Sequence, residues 1–86
     1  MRIEFHRLFK GRYKKVSWKV RRQFDERLVL FEQMLYHSLL NNHPLTGDRR
    51  GQWSINVTGN WRAIYIWIHN DTVVFLDLDT HSNLYG

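Results

Sequence analysis

Four side chains able to move protons or hold charge sit where the surrounding pattern is ordered: His43 directly before Pro44, Arg62 inside "WRAIYIWI", and His81 and Tyr85, four positions apart, in "DLDTHSNLYG". Histidine titrates near neutrality, so each imidazole is a candidate base or acid. A lone loop histidine serves equally as a cap or a solvated ring, and a tyrosine in such a segment equally as a lid on the core. Arg62 is the most informative of the four, because a cation in an apolar strand rarely lies buried unless it is paired. It either joins Asp77 or Asp79 of the neighbouring strand in an ion pair, or turns its guanidinium toward a phosphate across a concave sheet face.

Other chemistries find little support. The five histidines, at 6, 37, 43, 69 and 81, include no i, i+4 pair on one helix, and there is no cysteine, so no metal site is expected. The lack of cysteine also removes a disulfide framework and suits a reducing cytoplasm. Neither a nucleophile elbow nor a glycine-rich phosphate loop occurs. Charge interrupts "MRIEFHRLFKGRYKK" throughout and no long apolar run follows, so neither a secretory signal nor a membrane span is expected.

The elements that must position the four residues follow from periodicity. The 86 residues suffice for one domain, 1–86, with one core. "RIEFH" alternates as a short strand. Phe9, Tyr13 and Val16 then recur at helical spacing among lysines and arginines, and Ser17 is placed to cap a second helix whose stripe is Val20, Phe24, Leu28, Phe31 and Leu35. Pro44 and Gly47 break the pattern in "NNHPLTGD". "GQWSINV" alternates as a half-buried strand, "WRAIYIWI" is apolar on both faces as a central strand would be, and "VVFLDL" returns as the last. The order is β-α-α-β-β-β, an α+β domain with an antiparallel sheet and a two-helix hairpin packed on one face.

Charge is concentrated in that hairpin. Residues 1–27 hold ten of the thirteen lysines and arginines against three acidic residues, a local balance of +7, whereas residues 28–86 balance at −2. A face so basic is suited to a polyanion or an acidic protein.

"HPLTGDRRGQWSINVTGNWRAIYIW" followed by "THSNLYG" resembles the RelE/ParE superfamily of bacterial type II toxins, and within it the YafQ-like messenger-RNA interferases. The likeness runs over nearly the whole chain, through a strand, a basic helical hairpin, an H-P-L-x-G turn, a G-x-W-R-x-x-Y strand and a closing T-H-S-x-L-aromatic segment. The last of these is the most particular to the YafQ-like branch. The resemblance implies a cytoplasmic endoribonuclease that enters the ribosomal A site, cuts messenger RNA there without a metal or other cofactor, and is held inactive by a cognate antitoxin. It makes His43 and His81 acid/base residues, Arg62 the clamp on the scissile phosphate, and Tyr85 the terminal aromatic that meets a base. Lys10, Lys14, Lys15, Arg49 and Arg50 would hold the RNA backbone. Two positions depart from the YafQ pattern: Asn56 and Asn60 stand where that branch carries a histidine and an aspartate. Two histidines and an arginine still meet the needs of such a reaction, namely a base for the 2′-hydroxyl, a cation for the phosphate and an acid for the departing oxygen. Two other readings fit the same fold: a ParE-like inhibitor of DNA gyrase acting by binding alone, and a degenerate toxin kept as an antitoxin-binding module.

Overall fold

A computed structural model describes residues 1–85. Strand β1 (Arg2–Phe5) runs through His6 directly into helix α1 (Arg7–Lys15), and His6 Nδ1 caps that helix by accepting the Leu8 N–H at 3.0 Å. Ser17 caps α2 (Trp18–Gln33) as its position predicts, its hydroxyl accepting the Val20 N–H at 3.4 Å. Beyond α2 a 3₁₀ turn at Ser38–Leu40 leads to the two-residue strand β2 (His43–Pro44), and a second turn at Gly47–Arg49 leads to β3 (Trp53–Asn56). Gly47 takes φ +64°, the left-handed conformation for which glycine is suited. Strands β4 (Trp61–His69) and β5 (Thr72–Thr80) follow, then the single-turn helix α3 (His81–Tyr85).

The five strands lie in the order β1-β5-β4-β3-β2. Strands β3 to β5 are antiparallel as expected and β2 adds to β3 antiparallel, but the sheet as a whole is mixed, because β1 pairs in parallel with β5 from Arg2↔Thr72 to Phe5↔Phe75. That register stacks Phe5 on Phe75 at 5.9 Å between ring centroids, so the parallel pair is held by shared burial rather than by a local turn. Strand β3 departs from the half-buried expectation, since Ser54 is fully buried beside Ile55. Strands β2 and β4 flank β3, and the short β2 and α3 are the two elements that periodicity did not announce.

The α2 stripe buries Val20, Phe24 and Phe31 against the sheet, with Leu28 and Leu35 half-buried at its margin. Aromatic rings fill this core: Phe9 lies 5.0 Å from Phe24, Phe31 meets Tyr65 edge-on at 5.0 Å, and Phe24 meets Phe75 edge-on at 5.5 Å. A smaller cluster joins Ile64 of β4 to Leu45 and Leu84. The middle of β4 is therefore buried on both sides, as its apolar sequence predicts, and Leu84 anchors α3.

Tyr65 ties the core to the segment that enters β2. Its hydroxyl donates to Asn42 Oδ1 at 2.7 Å, while Asn42 Nδ2 donates to the Leu35 carbonyl at 3.0 Å. Burial pushes the Tyr65 phenol up to about 12, outweighing the lowering effect of the Asn42 side chain. With the folded value raised above the unfolded one near 10, the neutral phenol contributes stability that is complete below pH 10 and is lost as pH climbs to about 12. Chemical denaturation across that range should show a steeper alkaline decline for the native chain than for Tyr65→Phe.

Candidate functional site

His43, Arg62, His81 and Tyr85 come from β2, β4 and α3, and together with Asn41 and Leu45 they line one cleft of about 300 Å³. His43 and Arg62 are half-buried; His81 and Tyr85 are exposed. Each is held differently.

His43 is oriented by the chain just before it. Asn41 adopts φ +45°, a left-handed conformation that asparagine tolerates better than most residues, and its carbonyl lies 2.7 Å from His43 Nδ1. A carbonyl can only accept, so Nδ1 carries the proton and Nε2 of the neutral ring keeps its lone pair. The backbone of the same stretch is pinned to β3 through the His43↔Ser54 pair.

Arg62 makes neither ion pair that its neighbours offer, although Asp79 is its cross-strand partner in register. Its guanidinium folds back on the β3–β4 turn. Nη1 donates to the carbonyls of Thr58 and Trp61, both at 3.0 Å, and more weakly to Gly59 at 3.3 Å, which Nη2 also reaches at 3.4 Å. The Nε–H and the second Nη2 hydrogen have no protein acceptor among the described residues, leaving a side-on fork of the kind that grips phosphate. Asp77 and Asp79 pair instead with Arg12 of α1, at 3.5 and 2.9 Å.

His81 opens α3, and its N–H donates to the Asn60 carbonyl at 2.8 Å, joining that helix to the same β3–β4 turn that holds Arg62. Its ring leans on Tyr85, with centroids 4.7 Å apart and planes at 53°. The four-residue spacing thus sets the two rings one above the other on a helical turn. Burial raises the Asp79 carboxyl, but bonds from Asn83, the Thr80 N–H and Arg12 outweigh it and hold the group below the usual aspartate range.

A second trough of about 650 Å³ adjoins the first and shares His43, Leu45 and Tyr85; its other walls include Thr46, Asp48, Arg49 and Gln52. Arg49 is steadied there by donating from Nη1 to Gln52 Oε1 at 3.0 Å. The other basic residues expected to hold RNA are not gathered here. Lys10 and Lys14 edge a groove between α1 and α2, Lys15 borders a cleft with Arg7 and Arg12, and Arg50 lines neither the cleft nor the trough. Asn56 stands opposite Arg62 with Oδ1 buried and without a partner among the described residues, and Asn60 contributes its backbone carbonyl. No three His, Asp or Glu side chains among the described residues converge as a metal-binding group. Sequence reasoning missed Asn41, Arg12 and Asn83; only the four-residue spacing of Asp79 and Asn83 hinted at their contact.

A parallel edge strand, a helical hairpin on one face of the sheet and a cleft of two histidines and an arginine define a small α+β class. The particular fold is that of the YafQ and YoeB/ParE toxins. Escherichia coli YafQ superposes with a TM-score of 0.82 at 20% identity over 100% of both chains, and YafQ bound to DinJ with 0.72 at 21%, again over 100% of both. A YoeB/ParE toxin from Agrobacterium tumefaciens gives 0.76 at 16% over 94% of this chain and 99% of its own. In sequence, Endoribonuclease HigB of Proteus vulgaris is 46% identical over 39 residues, 45% of this chain and 42% of HigB, so the match spans less than half of that relative's length. No family model matches the chain. The RelE-like fold expected from the motifs is thus the fold observed.

Proposed function

We propose that the protein is the toxin of a type II toxin–antitoxin pair and an endoribonuclease that cuts messenger RNA in the ribosomal A site by acid–base chemistry needing no metal. The observation that carries this reading is the convergence of His43, Arg62, His81 and Tyr85 on one cleft. His43 Nε2 takes the 2′-hydroxyl proton, and O2′ attacks the adjacent phosphorus. The free fork of Arg62 meets the charge that builds on the phosphate oxygens. His81, protonated, gives its proton to the departing 5′-oxygen, leaving a 2′,3′-cyclic phosphate and a 5′-hydroxyl. DNA lacks the attacking hydroxyl, so the reaction is specific to RNA. Tyr85 stacks on a splayed base, and Arg49, Arg50, Lys10, Lys14 and Lys15 hold phosphates.

Endoribonuclease HigB and the DinJ–YafQ toxin–antitoxin complex support the class of activity and the existence of a protein partner. The groove between α1 and α2 suits that partner, since Phe5, Phe9, Phe24 and Leu28 offer it an apolar wall beneath Lys10 and Lys14. An acidic amphipathic antitoxin segment matches both features. No helix of the described residues is long and apolar enough to cross a membrane.

Induced expression should arrest growth and produce cuts in translated messages, mapped as new 5′-hydroxyl ends in register with codons. Arrest with intact transcripts and a DNA-damage response would instead identify a gyrase inhibitor. Absence of arrest would leave only a binding module.

A further inference from the structure

Asp79 is only 7% exposed, and its carboxylate binds three donors, one from α1 and two from the turn of residues 80–83. Oδ1 accepts the Thr80 N–H at 2.7 Å and an Asn83 Nδ2 hydrogen at 3.0 Å, while Oδ2 accepts from Arg12 Nη1 at 2.9 Å. The Thr80 hydroxyl accepts the Asn83 N–H at 3.3 Å, closing the turn around His81. Arg12 also approaches Asp77 at 3.5 Å, so α1 grips β5 on the stretch past Phe75 where β1 no longer pairs with it.

We propose that Asp79 is a positioning residue of the cleft: braced by Arg12 from α1, its carboxylate holds Thr80 and Asn83 on either side of His81 and fixes where that imidazole stands. The inference rests on the reading of His81 as the proton donor. Three features support it. A buried carboxylate is costly to desolvate and is retained only with good partners, and here two of its three bonds go to the turn that carries His81. Bonds to an ionised acceptor are also the stronger kind, which suits a brace on a single-turn helix with little hydrogen bonding of its own. Lastly, the His81 ring leans on Tyr85 and makes no hydrogen bond among the described residues, so its placement depends on the backbone at Thr80 and Asn83. Arg12, one cation among the ten of residues 1–27, thereby belongs to the site without touching the substrate.

The test is single-turnover cleavage of messenger RNA on programmed ribosomes by Asn83→Ala, Arg12→Leu and Arg12→Lys. Misplacing a reacting group by about an ångström costs on the order of 10²-fold, so Asn83→Ala and Arg12→Leu should lower kcat by about 10- to 100-fold with KM nearly unchanged, and Arg12→Lys should recover part of the loss. Placed on His81→Ala, Asn83→Ala should cost nothing further, because its effect runs through the ring already removed. Glu26→Gln, in the exposed Arg22–Glu26 pair, should behave as wild type. Wild-type kcat in Asn83→Ala beside an inactive His81→Ala overturns the inference and leaves the proposed reaction standing. A loss of equal size in the His81→Ala background overturns it too, while full activity in His81→Ala itself overturns the proposed role of His81. If Arg12→Leu fails to fold, Asn83→Ala decides alone, since it alters only an exposed amide.

Discussion

Replacing His43 by alanine should slow messenger-RNA cleavage by about 10² to 10⁴-fold, the usual contribution of one positioned proton transfer, without weakening binding to ribosomes or to the antitoxin. The direction follows from the tautomer. With Nδ1–H committed to the Asn41 carbonyl at 2.7 Å, Nε2 is the ring nitrogen left to exchange a proton. His43→Gln should not rescue the rate, because an amide of similar reach cannot take up a proton near neutrality. The fold should survive either change, since His43 is only half-buried and its backbone pairing to Ser54 stays intact. Cleavage by His43→Ala at the wild-type rate, measured on programmed ribosomes, would remove His43 from the mechanism. A loss of rate accompanied by a lowered unfolding temperature would show instead that the residue is structural.

The largest effect on stability is expected at Phe31. Its ring is fully buried, meeting Tyr65 at 5.0 Å and Phe75 at 5.6 Å, both edge-on. Truncating a buried phenylalanine to alanine costs about 3 to 5 kcal/mol through lost transfer energy and the remaining cavity. Domains of this kind hold only about 5 to 15 kcal/mol in total, so Phe31→Ala should lower the unfolding midpoint by on the order of 10 to 40 °C and leave a large unfolded fraction in the cell. Val29, two residues earlier on α2 but 55% exposed, provides the contrast: Val29→Ala should stay within about 0.5 kcal/mol of wild type. Thermal melts followed by circular dichroism distinguish the two, and equal midpoints for both variants would mean that the helix–sheet packing described here is wrong.

Local physics made most of the scaffold readable from sequence. The stripe of Val20, Phe24 and Phe31 and the cap at Ser17 follow from helical spacing and from a free N–H that needs an acceptor. The double-sided burial of Ala63, Ile64 and Tyr65 follows from an uninterrupted apolar run. What escaped was decided at long range or over too few residues. Two residues cannot display a period, so β2 was invisible, and the parallel pairing of β1 with β5 has no turn residue to announce it. For Arg62 the sequence leaves open a carboxylate partner on the adjacent strand or a guanidinium turned toward a phosphate, and the ion pair is the alternative that is not made. The Arg62 guanidinium satisfies the carbonyls of its own turn, while Arg12, indistinguishable in sequence from its basic neighbours, takes the aspartates. The family motifs single out His43, Arg62, His81 and Tyr85 as residues; periodicity alone does not bring His43 and His81 to one place.

The inner position of β5, between β1 and β4, also governs when the domain can form. Arg2 must find Thr72, and joining segments so far apart costs loop-closure entropy before any packing repays it, which slows folding. Until residues 72–80 emerge during synthesis, β1 and β4 have nothing between them, and Asp79 and His81 do not yet exist in the chain. On the proposed reading, translation would impose its own delay on activity: a half-made copy would carry the basic segment that an antitoxin meets before it carried the histidine assigned to proton transfer.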